Sequence, residues 1–369
     1  MLNQHNMVKA VALFSGGLDS TLSILTMLRQ GIEVKAIKFL THFDCEVSDR
    51  VSCSESFHAA HKFGFGVRTC HLSDKFIDIL LKPEHGYGKN MNPCIDCRIL
   101  MLREAKTVMN ATGAEFIITG EVIGQRPMSQ RRDTFNLIDR EAGVKDYVVR
   151  PLSAKLLKVT VPETEGMIDR EMLYGFSGRS RKPQMALAAQ FGLTDYPAPA
   201  GGCLLTEPNY AHRLRDLLAH NPAPAIRDIR LLKVGRHFRF SPLCKIVVGR
   251  NKIENETIES LSVNGDYLIK VDGCGSPITL ISGEITDEAI NVAASICARY
   301  SDAKGFTEVG AIVIKDGNAL CARRDGLEEA RLGSRITDYA FRLLVSPASN
   351  IMIEALRIEK VRNEKISIA

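Results

Sequence analysis

The chain has 369 residues, of which 45% are apolar, 25% charged and 6% aromatic, with no Trp and a formal net charge of +5. These figures fit a soluble globular protein of two or three domains and exclude a collagen-like, disordered or membrane-spanning chain, because no apolar stretch nears the ~20 residues needed to cross a bilayer. Met1 to Lys9 is mostly polar and leads into a strand without a signal-peptide core. The ten cysteines therefore read as thiols or ligands in a reducing compartment, and a cytoplasmic location is expected.

Ala10 to Phe14 is a short, wholly apolar run. Ser-Gly-Gly follows it, and then a helical pattern from Ser20 to Gln30 that Gly31 stops. Val34 to Phe39 reads as the next strand, 54–64 as helical, 66–72 as extended and 74–82 as helical. A longer amphipathic helix is expected after Cys97, with Ile99, Leu102, Ala105 and Val108 near one face, and Phe116 to Thr119 reads as a buried strand. Strands alternating with helices predict an α/β fold with a doubly wound parallel sheet. Tyr196 to Gly202 is a Pro/Gly-rich joint, and Asn221 to Ala225 is another. Beyond 227 come strand candidates at Lys245–Val248, Tyr267–Val271, Ile278–Ile281 and Gly310–Ile314, with a helix from Asp287 to Tyr300. This predicts a second, smaller α+β domain, with one more helix in the stretch 346–361. The expected boundaries are 1–220, 227–335 and a tail at 336–369.

The charge is uneven. Ala211 to Lys252 holds ten Lys or Arg against Asp216 and Asp228, a window of +8, so the rest of the chain nets −3. Arg126, Arg131 and Arg132 form a second basic knot. Clustered positive charge in a nearly neutral protein suggests a phosphate-backbone partner, against the plainer reading of a solvated face.

The strongest chemical signal is Phe14-Ser15-Gly16-Gly17-Leu18-Asp19-Ser20, at the end of the first strand and the start of the first helix. Glycines there let backbone N–H groups approach a pyrophosphate, and a helix N-terminus favours the anion. Ser15 and Ser20 can donate to phosphate oxygens, and Asp19 can hold Mg2+. Neither a Walker A lysine pattern nor GxGxxG occurs, which removes the main support for kinase and dinucleotide readings.

At these residues the sequence resembles the PP-loop ATP pyrophosphatases, whose signature is SGGxDS. Those enzymes use ATP to adenylylate a carbonyl oxygen and release pyrophosphate. Ile118 to Gln125 followed by Ser129-Gln130 resembles the TGExxGQ…SQ stretch of the 4-thiouridine synthases, and Val149 to Leu152 resembles the strand end that follows it. The likeness covers roughly residues 8–215. It implies that Gly120 and Gln130 line an adenine site and that Arg98 faces the nucleotide, with one residue inserted between Gly124 and Ser129. Two departures stand out: the 4-thiouridine synthases usually carry a THUMP RNA-binding domain before the loop, which here begins at residue 15, and some carry a persulfide-bringing rhodanese domain, which nothing here resembles. RNA binding and sulfur delivery must then be arranged differently.

Cysteines offer the second. Asn92-Pro93-Cys94-Ile95-Asp96-Cys97 is a CxxC at a helix entry, and Gly201-Gly202-Cys203 follows the Pro/Gly joint. Cys97 and Cys203 fall on the two catalytic Cys positions of the 2-thiouridylases, with Cys94 in place of an Asp. Three cysteines so arranged also occur in cluster-dependent thiolases of the superfamily, where three thiolates hold a [4Fe–4S] cluster and leave one iron open. The open readings are a cluster on Cys94, Cys97 and Cys203, a metal-free disulfide–persulfide pair, and a zinc site lacking its fourth ligand. A helix N-terminus is expected to lower the thiol pKa there. The remaining cysteines read as buried packing, and His42 and His58 as structural. Lys245 to Lys252, Ile278 to Glu284 and Ala289 to Ser301 resemble the NFACT RNA-binding domain over about 235–325, without a catalytic pattern.

The resemblance thus implies an ATP-dependent tRNA sulfurtransferase, with ATP and Mg2+ at the loop. Its partners would be tRNA and a sulfur donor, either sulfide or a persulfide from a cysteine desulfurase, with no membrane partner. The alternatives are a PP-loop amidotransferase, a small-molecule thiolase, or an RNA-binding protein with a vestigial nucleotide site.

Overall fold

Lys9-Ala-Val-Ala-Leu13 forms β1, a strand apolar on both sides, and it lies at the centre of a five-stranded sheet. Ala10, Ala12 and Phe14 enter the core on one face, Val11 and Leu13 the core on the other. A strand buried on both faces needs helices on both, which is the physical reason for a doubly wound sheet. The neighbours are β2 (Glu33–Leu40), β3 (Gly66–His71), β4 (Phe116–Ile118) and β5 (Val148–Val149), in the order β3-β2-β1-β4-β5 with every pair parallel. Helix α1 (Leu18–Leu28) places Ile24 and Met27 against the Ala10 face. The α2 helix (Ser73–Leu81) follows β3, and α3 (Cys94–Thr112) packs Ile99, Leu102 and Ala105 against the Val11 face. Helices α4 (Arg132–Glu141) and α5 (Lys182–Gln190) also belong to this part, with a short helix at Val161–Thr164 between them.

These elements belong to a computed structural model that describes residues 7–43, 58–197, 203–315 and 340–359. Cys45, Cys53, Cys321 and the Gly201-Gly202 part of the joint lie outside the described residues, as does the start of the helix expected at 54–64, of which 58–63 is helical.

The chain divides after Thr206 into two units. Helix α6 (Pro208–His220), which the sequence reading places in the first domain, groups with the second unit, as does α7 (Ile226–Leu231). That unit is built on a six-stranded antiparallel sheet, in the order β11-β10-β8-β9-β7-β6. Its strands are β6 (Arg236–Ser241), β7 (Cys244–Val248), β8 (Tyr267–Val271), β9 (Thr279–Gly283), β10 (Val309–Lys315) and β11 (Ala340–Val345). Helix α8 (Lys252–Ser260) packs on one face through Ile258, and α9 (Asp287–Arg299) on the other through Ile290, Ala293, Ala294 and Cys297. Helix α10 (Asn350–Leu356) occupies part of the expected 346–361 stretch, and β11 makes the start of the expected tail an edge strand of this sheet. Among the described residues, no helix is long and apolar enough to cross a membrane.

Candidate active site

The sheet ends where chemistry can begin. Phe14, buried against Phe65, donates its N–H to Ile37 O at 2.8 Å and so fixes the direction in which the chain leaves β1. Gly16 then adopts φ 78°, a left-handed conformation that favours glycine. Gly17 is the N-cap of α1, and no side chain caps it, so the first-turn N–H groups are left for a ligand. The loop is held in shape by its own hydroxyls. Ser15 N donates to Ser20 Oγ at 3.3 Å, the two hydroxyls lie 3.1 Å apart, and Ser20 Oγ donates to Gly17 O at 2.9 Å. Leu18 is buried beneath, in a cluster with Leu22, Leu25 and Val122.

Asp19 receives Gln125 Nε2 on one carboxylate oxygen at 2.9 Å, while its other oxygen is buried without a hydrogen-bond partner among the described residues. A desolvated carboxylate oxygen with no donor is costly unless a cation completes it. The donor chemistry of Asp19, Ser15 and Ser20 therefore fits Mg2+-bound triphosphate. Gly120 approaches the same helix start. A Cβ there would lie 2.5 Å from Ser20 N, 2.6 Å from Ser20 Cα and 2.8 Å from Asp19 C, so only glycine fits without movement.

Below the loop runs a buried charge network. Arg150 pairs with Asp139 through two bonds of 2.8 Å, stacks 4.0 Å over Phe135, and donates to Glu121 at 3.1 Å. Burial would pull the Arg150 guanidinium down, but the bonds from Asp139 and the charge of Glu121 hold it above its ordinary value. Thr119 also donates to Glu121, and Arg98 Nε lies 3.5 Å from the other Glu121 oxygen. Arg98, expected at the nucleotide, is thus anchored by Glu121. Gln130, expected at the adenine, is buried with its side-chain oxygen accepting from Arg126 N at 3.0 Å, and its carbonyl accepts from Gly124 N at 2.7 Å. That side chain closes the loop 124–130.

The cysteines lie along the same rim. Helix α3 begins at Cys94 rather than after Cys97, so both thiols belong to its first turn. Cys203 Sγ is 3.8 Å from the carbonyl oxygen of Phe43, just beyond β2, and Leu204 N donates to the same oxygen. Asn90 Nδ2 donates to Thr206 O at 2.7 Å and Met91 N to Leu205 O at 3.1 Å, which ties the Cys203 segment to the turn leading into Cys94. The loop 124–130 reaches both sites. Gln125 bonds Asp19, and a Cβ on Gly88 would meet Met128 Cγ at 3.7 Å and Cys94 Sγ at 3.9 Å. None of the three is in a disulfide among the described residues, and all are partly buried. Burial pushes the Cys94 thiol up, against the pull of Arg98 and Arg126. This corrects the expectation that the helix N-terminus lowers it: desolvation outweighs a first-turn dipole effect of ~0.3–1 kcal/mol. The soft donor set of three thiols suits an iron–sulfur cluster.

Three residues carry structure that the motif reading missed. Asp96, the inner acid of the CxxC, is buried and accepts from the backbone N–H groups of Glu84 and His85 and from His85 Nδ1 at 3.0 Å. His85 Nε2 lies 3.2 Å from Glu141. The bond to Asp96 pushes His85 above its ordinary pKa, aided by Glu141 and opposed by burial. Glu84, His85 and Asp96 bring their ligand atoms within 4.8 Å of one another, but these same bonds occupy His85 and Asp96. Gln125 was visible only as one letter of the GQ pair. Elsewhere Cys244 and Cys297 are buried in the second unit's core as expected, whereas Cys70 is partly exposed and Cys274 exposed, and among the described residues His58 makes an exposed 3.6 Å pairing with Asp195.

A Gly-rich strand-to-helix loop with an acid poised at the helix start, at the carboxyl edge of a parallel sheet, defines a PP-loop ATP pyrophosphatase. Within that class the chain belongs to the family of PP-loop proteins that holds the tRNA-specific 2-thiouridylases and tRNA sulfurtransferases. It is 30% identical over 306 residues to the tRNA-specific 2-thiouridylase MnmA of Sulfurimonas denitrificans, covering 79% of this chain and 80% of that one. The family model of the thiamine biosynthesis protein ThiI matches residues 6–161, and that of the NFACT protein RNA binding domain matches 235–320. A probable tRNA sulfurtransferase of Thermococcus kodakarensis is 24% identical over 153 residues, 39% of this chain and 36% of that protein. The chain spans about a third of the length of curated relatives it matches: 36% of the Thermococcus protein and 32% of a bifunctional protein NifU/MnmA of Rubrobacter xylanophilus, to which it is 29% identical over 164 residues, 41% of this chain. Among solved structures, a 4-thiouridine synthetase–RNA complex with bound ATP overlaps at a TM-score of 0.33 and 21% identity, over 50% of this chain and 52% of that one.

Proposed function

We propose that this chain is an ATP-dependent tRNA sulfurtransferase that replaces a uridine carbonyl oxygen with sulfur. The observation that carries the reading is the juxtaposition made by the loop 124–130. One end holds Asp19 through Gln125, and the other packs beside Cys94 through Met128 and Gly88. An activating site and a thiol site then share one rim.

Ser15, Gly16, Gly17 and Ser20, with the N–H groups of the first α1 turn, would hold the ATP phosphates, and Asp19 would hold Mg2+. Phe14 and Leu18 fix the loop from below. The uridine oxygen attacks the α-phosphorus and pyrophosphate leaves, so a poor leaving group becomes AMP. A sulfur nucleophile presented at Cys97 and Cys203 attacks the carbon, AMP departs, and the C–S bond is made. Sulfide as donor leaves the thiols unchanged, whereas a Cys97 persulfide resolved by Cys203 ends as a disulfide that an external thiol must reduce. Cys94, Cys97 and Cys203 fit a [4Fe–4S] cluster, which when bound would supply an open iron to hold the sulfide. The basic window 211–252 of the second unit would hold tRNA phosphates, and a cytoplasmic location suits both the thiols and the substrate.

The test is pyrophosphate release from ATP with and without tRNA. Wild-type protein should show tRNA-stimulated release, and Asp19→Ala should lose it while melting at the same temperature. Equal release by the variant removes the ATP assignment. Anaerobic purification separates the two sulfur routes. A brown protein that loses colour and thiolation with each of Cys94→Ala, Cys97→Ala and Cys203→Ala supports the cluster. A colourless active protein with Cys94 dispensable supports the persulfide pair.

A further inference from the structure

Arg126, a member of the basic knot with Arg131 and Arg132, is a cation that the reaction above does not use. Its backbone is clamped on both sides. Arg126 N donates to Gln130 Oε1 at 3.0 Å, Gln130 N donates to Arg126 O at 3.2 Å, and Gly124 N donates to Gln130 O at 2.7 Å. A loop so fixed presents its side chains in set directions. Gln125, one residue before, holds Asp19 at the phosphate loop. Met128, two residues after, packs where Cys94 Sγ also approaches Gly88.

The guanidinium lies between these two points. Partial burial at the rim and the charge of Arg98 draw it below its ordinary value, while Cys94, Glu121 and Asp19 hold it up. In return it opposes the burial that pushes the Cys94 thiol up. Among the described residues, however, no carboxylate comes within ion-pair distance of this guanidinium, and none of its N–H groups is hydrogen-bonded. Its acidic neighbours are engaged elsewhere. Glu121 accepts from Arg150 and faces Arg98 at 3.5 Å, and Asp139 takes the other side of Arg150. Asp19 is the remaining balancing charge, and it is the residue assigned to Mg2+. Without a ligand the rim is therefore neutral, with Arg98, Arg126 and Arg150 set against Asp19, Glu121 and Asp139. Magnesium-bound ATP adds net negative charge to that rim, and Arg126 has the open donors to meet it.

We infer that Arg126 is a further catalytic residue, whose guanidinium forks onto two oxygens of the α-phosphate, in ATP and then in the adenylylated uridine. The inference rests on the sulfurtransferase reading and adds a residue to it. The β- and γ-phosphates leave as pyrophosphate and need not approach the thiols. The α-phosphorus becomes bonded to the uridine oxygen, so it must stand between Asp19 and the sulfur, which is where Arg126 lies. In the sulfide route HS− forms the C–S bond, and the electron pair of the C–O bond leaves on AMP. The proton on sulfur passes to the ring nitrogen that lost one on adenylylation. The phosphate thereby goes from one negative charge to about 1.5 to 2. A planar fork matches two phosphate oxygens, and its bonds strengthen as that charge develops.

The test reads binding as well as turnover. AMP carries the α-phosphate alone and adenosine carries none, so calorimetric titration of the full chain with each isolates the contact. Wild-type protein should bind AMP more tightly than adenosine. Arg126→Gln should lower the AMP affinity at least about tenfold and leave the adenosine affinity and melting temperature unchanged. Arg126→Lys keeps the charge without the fork and should fall between. Arg132→Gln, which removes a neighbouring charge of the same knot, should bind both ligands like wild type. With saturating ATP, Arg126→Gln should also slow tRNA thiolation. If Arg126→Gln keeps wild-type AMP affinity, the phosphate assignment is refuted, and a Cys94 thiol that then alkylates more slowly would give the guanidinium to the thiol instead. Equal loss of AMP and adenosine would make Arg126 structural and refute the assignment too. Absence of ATP-driven thiolation by wild-type protein removes the sulfurtransferase reading, whereas the comparison of AMP with adenosine still decides whether Arg126 holds the α-phosphate.

Discussion

Gly120→Ala is the substitution whose consequence the structure fixes most tightly. The added methyl would sit 2.5 Å from Ser20 N, 2.6 Å from Ser20 Cα and 2.8 Å from Asp19 C. Comfortable carbon contacts lie at ~3.5–4.0 Å, so the end of β4 and the start of α1 must part by about 1 Å. All three obstructing atoms are backbone, and no rotamer change relieves them. Overpacking of this kind costs about 1–3 kcal/mol, and in a unit of this size each kcal/mol lowers the melting temperature by about 2–4 °C. The same displacement moves Asp19 and Ser20, and misplacing reacting groups by about 1 Å costs on the order of 100-fold in rate. Differential scanning calorimetry and pyrophosphate release should therefore both fall, the second far more. Gly66→Ala is the control, since a methyl there meets nothing within 4 Å. If Gly120→Ala melts and turns over like Gly66→Ala, the argument from close approach is wrong.

The other predictions address the supports of the site. Gln125→Leu removes the bond that orients Asp19; such bonds to charged groups are worth about 1.5–3 kcal/mol, so pyrophosphate release should drop by at least about tenfold with melting nearly unchanged. Wild-type turnover in that variant would mean Gln125 does not position Asp19. Arg150→Met leaves Asp139 buried without its cation and Glu121 with Arg98 alone, and should cost about 3–5 kcal/mol in urea titrations, and a loss below about 1 kcal/mol would contradict a desolvated network. His85 has a raised folded pKa, so the stability it contributes is fully present below its unfolded value of 6.5 and lost as pH rises through the higher folded value. Denaturation midpoints should decline across that window in wild-type protein and stay flatter in His85→Gln, whereas parallel curves would dissociate His85 from Asp96.

What the sequence revealed follows from how local each feature is. Ala10–Phe14 announced β1 because five apolar residues in a row need burial on both faces, and the adjacent glycines placed the loop. Helix α9 was clear from Asp287 onward, with Thr286 as its N-cap. The start of α3 was placed too late because Pro93 and Cys94 carry no capping side chain. Helix α4 went unread although Phe135, Ile138 and Ala142 share its buried side, since ten residues make under three turns. The Gln125–Asp19 bond spans 106 residues, and nothing in either residue's neighbourhood specifies the other. Asp96 occupied a variable position of CxxC, and only the fold reveals that it holds the preceding turn. The Cys94 thiol was misjudged because a helix terminus is visible in a sequence and the extent of burial is not.

The central claim is that this chain puts sulfur into tRNA at the expense of ATP. It is tested most directly by digesting tRNA from cells with and without the protein and quantifying thiolated nucleosides by mass spectrometry. The account predicts that one thiouridine species disappears without the protein, returns with the wild-type chain, and does not return with Asp19→Ala or Cys97→Ala. An unchanged set of thiolated nucleosides in the deficient cells would contradict it.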